Sequence, residues 1–431
     1  MSSRLGNSDA FYKLQALHQK YGNIVRIGSN DLSIVDALAM ETTYGLHSKV
    51  TKSAWYDGDA PLTSMHTSRS KALHDKRRKV WAPAFSDKAL REYETKVDAF
   101  NDKIVQRFAE FKNGPINVTK WFNLYSFDVM GRLALGKDYG MLDSGEKHSA
   151  LELLSEGMQP LAYLLPVWLF RMLTGIPGLA AGFMKFVQFC VDQLSWRVEQ
   201  GRHFGADIMS SLLKAYKGID RPKKDSMLQA DARLIIVAGS DTTAAAFTYL
   251  FYHLAQDPGQ VKKLRNELRP LARGDWSDKD IRQAPHLNGA IDEALRLPPP
   301  VPSGVSRLTP GEGMWVGDTW VPGNATFIMP QYVMGRDESI YANANAFVPE
   351  RWYGKPEMVK HKDAFATFST GPFGCIGKNL ALMELRTLTT RLILDYDVAF
   401  APGEDGHRLL FKTLDHFTVN LGNLDLMFTK V

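Results

Sequence analysis

Helical periodicity dominates the middle of the chain, from about Lys71 to Leu297. Runs such as SALELLSEGMQPL repeat apolar residues at helical spacing, and YLFYHLAQDPGQVKKLRNEL predicts two helices divided at Pro258-Gly259. A further long helix is predicted after Cys375. Its buried stripe would consist of Ala381, Leu385, Leu388 and Leu392.

Strand patterns lie toward the two ends of the chain. Near the start, IVRIGSNDLSIVD alternates apolar and polar residues around a turn at Gly28 to Asp31, which predicts a β-hairpin. The Pro/Gly-rich stretch from Val301 to Pro349 and the final HFTVNLGNLDLMF also indicate strands and turns. Because helices outnumber strands and do not alternate with them, the sequence predicts a mainly α fold with a small β region and disfavours a doubly wound sheet.

The most apolar tract runs from Pro160 to Phe186. Pro166, Arg171 and Pro177 interrupt it, so no continuous span of ~20 apolar residues exists. Two interpretations stay open: core helices, or helices that dip into a membrane surface or roof an apolar channel. The amino terminus is polar and has no apolar core of a signal peptide.

Composition narrows the class of protein. Of 431 residues, 45% are hydrophobic and 23% charged, which excludes a mainly disordered chain. The net charge of +5 fits scattered lysines or a basic patch for an acidic partner, and without a long Lys/Arg cluster it argues against nucleic-acid binding. Two cysteines, Cys190 and Cys375, supply neither a disulfide framework nor a four-cysteine metal site, which indicates a reducing compartment.

The glycine-rich stretch FSTGPFGCIGKN, Phe368 to Asn379, admits two chemistries. A phosphate loop requires four residues between its glycines and a hydroxyl residue after the lysine. Here five residues separate Gly371 from Gly377, and Asn379 follows Lys378, so this interpretation fails.

A thiolate site fits the same stretch better. Cys375 stands in a turn directly before a predicted helix, whose first N–H groups and dipole stabilise an anionic sulfur. Gly371, Gly374 and Gly377 lack side chains where a flat macrocycle would approach the backbone. One thiolate suffices to hold a haem iron, although a lone cysteine is more often a small core residue.

Phe368 to Gly377 resembles the haem-binding signature of the cytochrome P450 family. Four further segments match family motifs in the same order, and together they cover about the whole chain. They are HDKRRKVWAPAFS, AGSDTT, EALR and FVPERW, which begin at His74, Ala238, Glu293 and Phe347. The resemblance implies one cytochrome P450 domain over residues 1–431, mainly helical around haem b, with a minor β-rich lobe.

The resemblance implies that Cys375 is the axial thiolate ligand of the iron. Arg78 stands where family members bind a haem propionate, Arg307 matches another such position, and His74 replaces a usual tryptophan. Phe373 occupies a position that usually holds Arg or His, so the propionates must rely on those three residues. The other implied haem-binding residues are Phe368, Gly371, Gly377, Ala238 and Gly239.

Two motifs carry further roles by resemblance. In AGSDTT, Ala238 and Thr242 share one helix face. Asp241 and Thr242 would deliver protons for cleavage of the O–O bond; alone, the motif could be a helix kinked at glycine. Glu293, Arg296 and Arg351 would form a buried structural charge cluster, although a pair three residues apart is by itself usually surface decoration.

The implied activity is that of a monooxygenase, which inserts one oxygen atom from O2 into an apolar small molecule. Electrons would come from NADPH through a cytochrome P450 reductase. Residues expected to line the substrate pocket are Trp55, Tyr56, Ile235, Ala238, Ser303, Val305 and Leu414. The alternatives are an electron-independent isomerase or peroxygenase, and a non-catalytic haem-binding protein; the intact Asp241-Thr242 pair favours the monooxygenase.

The resemblance also predicts the surroundings of the protein. The acidic flavin domain of the reductase would dock near Lys378 and the Lys76 to Lys79 run. The motifs resemble those of fungal members, and the family match begins by His18 without the usual apolar anchor. We therefore expect a monomer at the cytosolic face of the endoplasmic reticulum if an anchor has been removed, with peripheral membrane contact, and otherwise a cytoplasmic protein.

Overall fold

The computed structural model describes most of the chain, and α-helices account for most of what it describes. The described residues are 9–149, 151–152, 167–174, 176, 178, 181–201, 207–216 and 225–431. The α-helices among them are α1 (Ala10–Tyr21), α2 (Ala39–Tyr44), α3 (Lys71–Trp81), α4 (Asp87–Glu110), α5 (Val118–Met130), α6 (Met141–Ser144), α7 (Val167–Thr174), α8 (Ala181–Glu199), α9 (Ile208–Lys214), α10 (Ser226–Gln256), α11 (Pro258–Leu268), α12 (Asp278–Ile281), α13 (Pro285–Arg296), α14 (Gln331–Met334), α15 (Lys378–Asp395) and α16 (His407–Lys412). The predicted mainly α fold is confirmed.

The strands are short and form small sheets. They are β1 (Ile24–Arg26), β2 (Asp31–Ile34), β3 (Thr51–Lys52), β4 (Ile116–Asn117), β5 (Arg307–Leu308), β6 (Met314–Val316), β7 (Thr319–Val321), β8 (Thr326–Ile328), β9 (Tyr396–Phe400), β10 (Leu414–His416), β11 (Thr418–Asn420) and β12 (Asp425–Lys430). One mixed sheet has the order β1-β2-β8-β5-β3, and a second has the order β4-β12-β9. The predicted hairpin is confirmed, since β1 pairs antiparallel with β2.

Helix α10 is the axis of the larger apolar core. The Asp225 side chain caps its start by accepting the Leu228 N–H, and the helix ends just before Pro258, as the sequence predicts. It packs against α5, α8, α13 and α15. Among the described residues, α10 is also the one helix long and apolar enough to cross a membrane, but 67% of its most apolar window is buried inside the fold.

A second, smaller apolar core lies under the mixed sheet. Phe11 of α1, Ile34 of β2, Phe327 of β8 and Tyr332 of α14 pack together there. The sheet thereby fixes the positions of β3 and β5, whose residues Lys52 and Arg307 are directly paired across the strands.

Helices α7 and α8 carry the described part of the apolar tract, whose residues 160–166 lie outside the described residues. Phe170 and Phe186 are buried, as in core helices. Large apolar side chains on the outer surface of the same stretch are exposed, namely Trp168, Met172, Ile176 and Met184. Contact with a membrane surface stays a prediction.

Candidate active site

A cavity of about 400 Å³ lies between α10 and the loop that precedes α15. Leu234, Val237, Ala238 and Thr242 recur at helical spacing on the α10 wall. Cys375 lies on the facing wall. Most of the lining is apolar, so the cavity suits a ligand with extended apolar faces.

The Cys375 loop is held in a narrow turn. The Cys375 N–H donates to the Phe368 carbonyl at 2.8 Å. Gly371 has φ +64°, and a Cβ there would lie 2.3 Å from the Tyr44 carbonyl oxygen, so this position requires glycine. Gly371 thus fixes the loop against α2 and does not line the cavity, whereas Phe368 and Gly377 do.

The Cys375 sulfur is exposed only toward the cavity. Burial raises the pKa of the thiol, while the Gly377 N–H, the charge of Arg78 and the Lys378 N–H act in the opposite direction. These N–H groups stand at the start of α15, where they can support an anionic sulfur. A bound metal ion would remove the thiol proton outright.

Three buried or half-buried cations converge on the cavity; we call Lys52, Arg78 and Arg307 the cation cluster. Lys52 Nζ donates to the Met65 carbonyl at 3.2 Å and to the His66 carbonyl at 2.6 Å. Arg78 Nη1 donates to the Gly374 carbonyl at 2.8 Å.

The cation cluster has no anion of its own. Within the described ranges, none of its three members forms an ion pair, and Arg307 Nε is buried without a hydrogen-bond partner. Burial, followed by the charges of Arg307 and Arg78, lowers the pKa of Lys52 to about 7. Such a site is incomplete without anionic ligand atoms.

The donor set fits haem. A thiolate position stands opposite the α10 face, and the cation cluster would meet the two propionates of the macrocycle. His74 is buried on the same wall, and burial lowers its pKa. Lys52 was missed in the sequence, because its pairing with Arg307 depends on the register of two-residue strands.

Phe373 lies at the centre of the cation cluster. Its ring centroid is 4.8 Å from Lys52 Nζ and 5.2 Å from the Arg307 guanidinium carbon, and the His74 ring meets it at 4.7 Å. Aromatic faces attract cations. The residue that replaces the usual Arg or His therefore holds two other cations in place.

Some residues of the AGSDTT motif on α10 line the cavity, and others pack behind its wall. Ala238 and Thr242 line the cavity, and Thr242 Oγ1 donates back to the Ala238 carbonyl at 2.7 Å. Gly239 also borders it, but a Cβ there would lie 2.4 Å from Met130 Sδ, so its missing side chain admits α5.

Asp241 does not line the cavity, and its predicted role in proton delivery stays a prediction. Its carboxylate lies behind the wall, where Thr418 Oγ1 contacts Oδ2 at 3.5 Å, because its place on the helix turns it toward β11. Burial raises the pKa of Asp241 to about 7, opposed by this contact. Thr418 lies between the carboxyl and the cavity, and no sequence motif marked this residue.

Five of the residues expected to line the substrate pocket do so: Trp55, Tyr56, Ile235, Ala238 and Val305. Two expectations are wrong. Ser303 turns away, since its hydroxyl donates to the Asp415 carboxylate, and Leu414 lies inside β10 and off the wall. Phe417 and Thr418 reach the cavity from the end of the same hairpin.

Glu293, Arg296 and Arg351 come together in a buried charge cluster away from the cavity. Glu293 Oε1 accepts from Arg296 at 2.7 Å and from Arg351 at 2.8 Å. Backbone carbonyls, including those of Ala344 and Ala342, accept the remaining guanidinium protons. The arrangement fastens α13 to the segment before the Cys375 loop and offers nothing to a ligand.

Comparisons with known proteins agree with this geometry. The family model of cytochrome P450 matches residues 3–424. The chain is 42% identical to the cytochrome P450 monooxygenase notG' of Aspergillus versicolor, over 100% of this chain and 80% of that protein. It is 44% identical to the cytochrome P450 monooxygenase lcsK of Purpureocillium lilacinum, over 97% of this chain and 77% of that protein. It is 41% identical to the tryprostatin B 6-hydroxylase of Aspergillus fumigatus, over 100% of this chain and 78% of that protein.

The fold is similar to a solved structure. The crystal structure of a cytochrome P450, CYP102L1, superposes with a TM-score of 0.81 over 97% of both chains at 19% sequence identity. At that identity the likeness concerns the fold alone.

Proposed function

The chain belongs to the cytochrome P450 family and is a haem-dependent monooxygenase of small molecules, and from this premise we propose that its substrate is a flat aromatic compound. The observation that carries the proposal is a stacked pair of rings on the cavity wall. Trp55 and Phe417 have centroids 4.9 Å apart and ring planes 29° apart. A planar apolar ligand would extend this stack.

Phe417 is held in an unusual backbone conformation. Its φ is +80°, a region that costs a bulky residue about 1–3 kcal/mol. Asp415 Oδ1 accepts the Phe417 N–H at 3.0 Å, and Ser303 donates to the other oxygen of that carboxylate. A strained aromatic residue that faces a ligand cavity supports a role in substrate contact.

A second group of aromatic rings also lines the cavity. Phe170 and Phe183 lie edge to face at 6.1 Å, and Phe186 borders the same space. A relative 41% identical to this chain over its full length is named as a hydroxylase of tryprostatin B, a small molecule. Both observations support an apolar small-molecule substrate.

The residues divide the chemistry among them. Cys375 would hold the iron and the cation cluster the propionates. Bound haem supplies the activation of O2 and the insertion of one oxygen atom into the substrate. Asp241, whose pKa lies near 7, can accept and release a proton at physiological pH, and the Thr418 hydroxyl lies between it and the cavity.

The electrons would come from NADPH through a reductase with an acidic surface. Lys76, Lys79 and Lys378 support this part of the proposal, because all three are exposed and stand on α3 or at the start of α15, beside the Cys375 loop. Such charges raise association rates and are screened by salt.

Replacement of Phe417 by glycine tests the substrate class. Glycine adopts φ +80° without strain, so the variant should fold, bind haem and give the red-shifted Soret band of the reduced carbon monoxide complex. Loss of the ring should weaken tryprostatin B binding about tenfold to a hundredfold, since a buried aromatic contact contributes about 1.5–3 kcal/mol. Spin-shift titration measures it.

Phe411→Ala is the matched control, because Phe411 is exposed and outside the cavity. Equal affinities of wild type and Phe417→Gly would refute the aromatic contact. Product formed with hydrogen peroxide but not with NADPH and reductase would instead favour the peroxygenase alternative.

A further inference from the structure

Glu384 is a buried carboxyl on the same wall of the cavity as Cys375. It stands on α15, where Leu380, Ala381, Glu384 and Leu385 recur at helical spacing along the wall. The residue is 1% exposed. Its Oε2 is buried without a hydrogen-bond partner in the described part of the chain. A buried carboxyl in this state needs a reason.

Two arginines of α15, Arg386 and Arg391, are already paired with other acids. Arg386 donates to Asp278 at 2.6 Å, and Arg391 contacts Asp98 at 2.9 Å and Asp102 at 2.8 Å. The buried Tyr125 donates its hydroxyl to Asn101 instead. No charge of a described cation lowers the pKa of Glu384.

Burial raises the pKa of Glu384 to about 8. The group is a neutral acid at pH 7 and becomes an anion only in more alkaline solution. Its effect on a bound cofactor must therefore depend on pH.

We propose that the proton of Glu384 sets the reduction potential of the haem. The inference rests on haem binding beside Cys375, as the proposed function does. A neutral Glu384 leaves the ferric and ferrous states undisturbed, whereas a carboxylate on this wall stabilises the more positive ferric state. The thiolate already favours the ferric form, so a neutral acid here keeps reduction by a partner feasible.

Reduction of the haem is coupled to protonation of Glu384. At a pH where Glu384 is ionised, ferric haem accepts one electron from a reductant such as dithionite, and Glu384 Oε takes one proton from the solvent. The products are ferrous haem and a protonated Glu384. Reduction therefore becomes harder as pH rises through the pKa of this carboxyl.

Other groups near the site can titrate and need their own controls. Burial raises the pKa of Asp292 to about 6, and the pKa of Lys52 lies near 7. Burial, followed by the charge of Glu384, raises the pKa of Tyr125 far above the relevant range. Asp241 of α10, which packs on α15, can titrate as well, since burial raises its pKa to about 7. Other charged groups on elements packed around Glu384 include Asp98, Asp102 and Arg391, Asp278 and Arg386, Arg265 of α11, and Lys378 at the start of α15.

The test is a spectroelectrochemical titration of haem-loaded wild type and Glu384→Gln between pH 6.5 and pH 9.5. The wild-type equilibrium for reduction should fall about tenfold across this range, which corresponds to about 59 mV for one electron. The glutamine variant should stay close to the wild-type value at low pH throughout. Asp292→Asn, which removes a titrating group outside the cavity lining, should keep the wild-type fall above pH 8.

A wild-type potential that does not change above pH 7 overturns the inference. A fall of the wild-type size in Glu384→Gln also overturns it. If the glutamine variant does not retain haem, Glu384→Asp provides the second test, because it must keep a fall with a displaced midpoint. Absence of the thiolate Soret shift in wild type would instead refute haem ligation by Cys375, which is a separate failure.

Discussion

Two groups of buried cations in this protein have opposite surroundings. Arg296 and Arg351 share the carboxylate of Glu293, and backbone carbonyls accept their remaining protons. Lys52 and Arg307 have carbonyl and hydroxyl partners but no carboxylate within the described residues, and Arg307 Nε has no partner at all.

This difference distinguishes a charge cluster that stabilises the fold from one that binds a ligand. A complete cluster gains nothing from a ligand and loses much when one member is removed. An incomplete cluster that faces a cavity has an unmet requirement for anions, and haem propionates meet it. Burial of charge alone therefore does not identify a site, whereas the balance of charge does.

The largest expected effect comes from breaking the complete cluster. Glu293→Gln leaves two buried guanidinium groups without their counter-ion, which should lower the free energy of unfolding by about 3–5 kcal/mol. Denaturant unfolding of the haem-loaded protein measures it. Glu350→Gln is the control, because Glu350 pairs with the exposed Lys263 and should cost at most about 1 kcal/mol. Equal effects of the two changes would contradict the comparison.

A smaller effect is expected from Lys52→Met. Loss of a charged hydrogen-bond donor to a propionate, about 1.5–3 kcal/mol, should speed haem transfer to an acceptor apoprotein about tenfold to a hundredfold. Stopped-flow absorbance follows the transfer. An unchanged rate would remove Lys52 from the haem site.

In the haem-free protein, the effect of Lys52→Met on the free energy of unfolding should depend on pH. The pKa of Lys52 is lowered on folding, so this residue contributes stability at high pH that is lost as pH falls through about 7. The stability of Lys52→Met relative to wild type should therefore improve as pH falls from 10 to 7. Urea unfolding at the two pH values checks the sign.

The smallest expected effect is that of Phe373→Leu. The change keeps an apolar residue but removes the ring that Lys52 and Arg307 both face, at about 0.5–1 kcal/mol for each contact. For the two contacts together, haem loss should be about fivefold to thirtyfold faster. Phe411→Leu, an exposed position, should leave it unchanged; a similar acceleration in both would show that aromatic content alone matters.

The sequence predicted what depends on local pattern and contiguous motifs. The mainly α fold, the hairpin of β1 and β2 and the end of α10 before Pro258 follow from periodicity and from turn residues. The Cys375 loop and the Glu293 cluster follow from motifs. Pairing of Lys52 with Arg307 depends instead on tertiary register, which no local pattern encodes.

The direction of side chains is the second property that the sequence could not predict. The resemblance pointed to Leu414 but could not show that a positive φ at Phe417 presents that residue to the cavity. Asp241 likewise stands in the expected motif yet faces β11. Periodicity gives the face of a helix, while loop conformation decides which residue of a turn reaches a ligand.

The pairing of β3 with β5 has a consequence for how the protein matures. Lys52 is synthesised early, Arg307 much later and Cys375 later still, so the complete haem site cannot exist on a partly translated chain. Capture of the cofactor is then a late event, after both strands have met. Before haem binds, the like charges of the cation cluster would repel one another inside the empty cavity of a newly made chain. Cells short of haem would accumulate this haem-free form, which chaperones and proteases would act on.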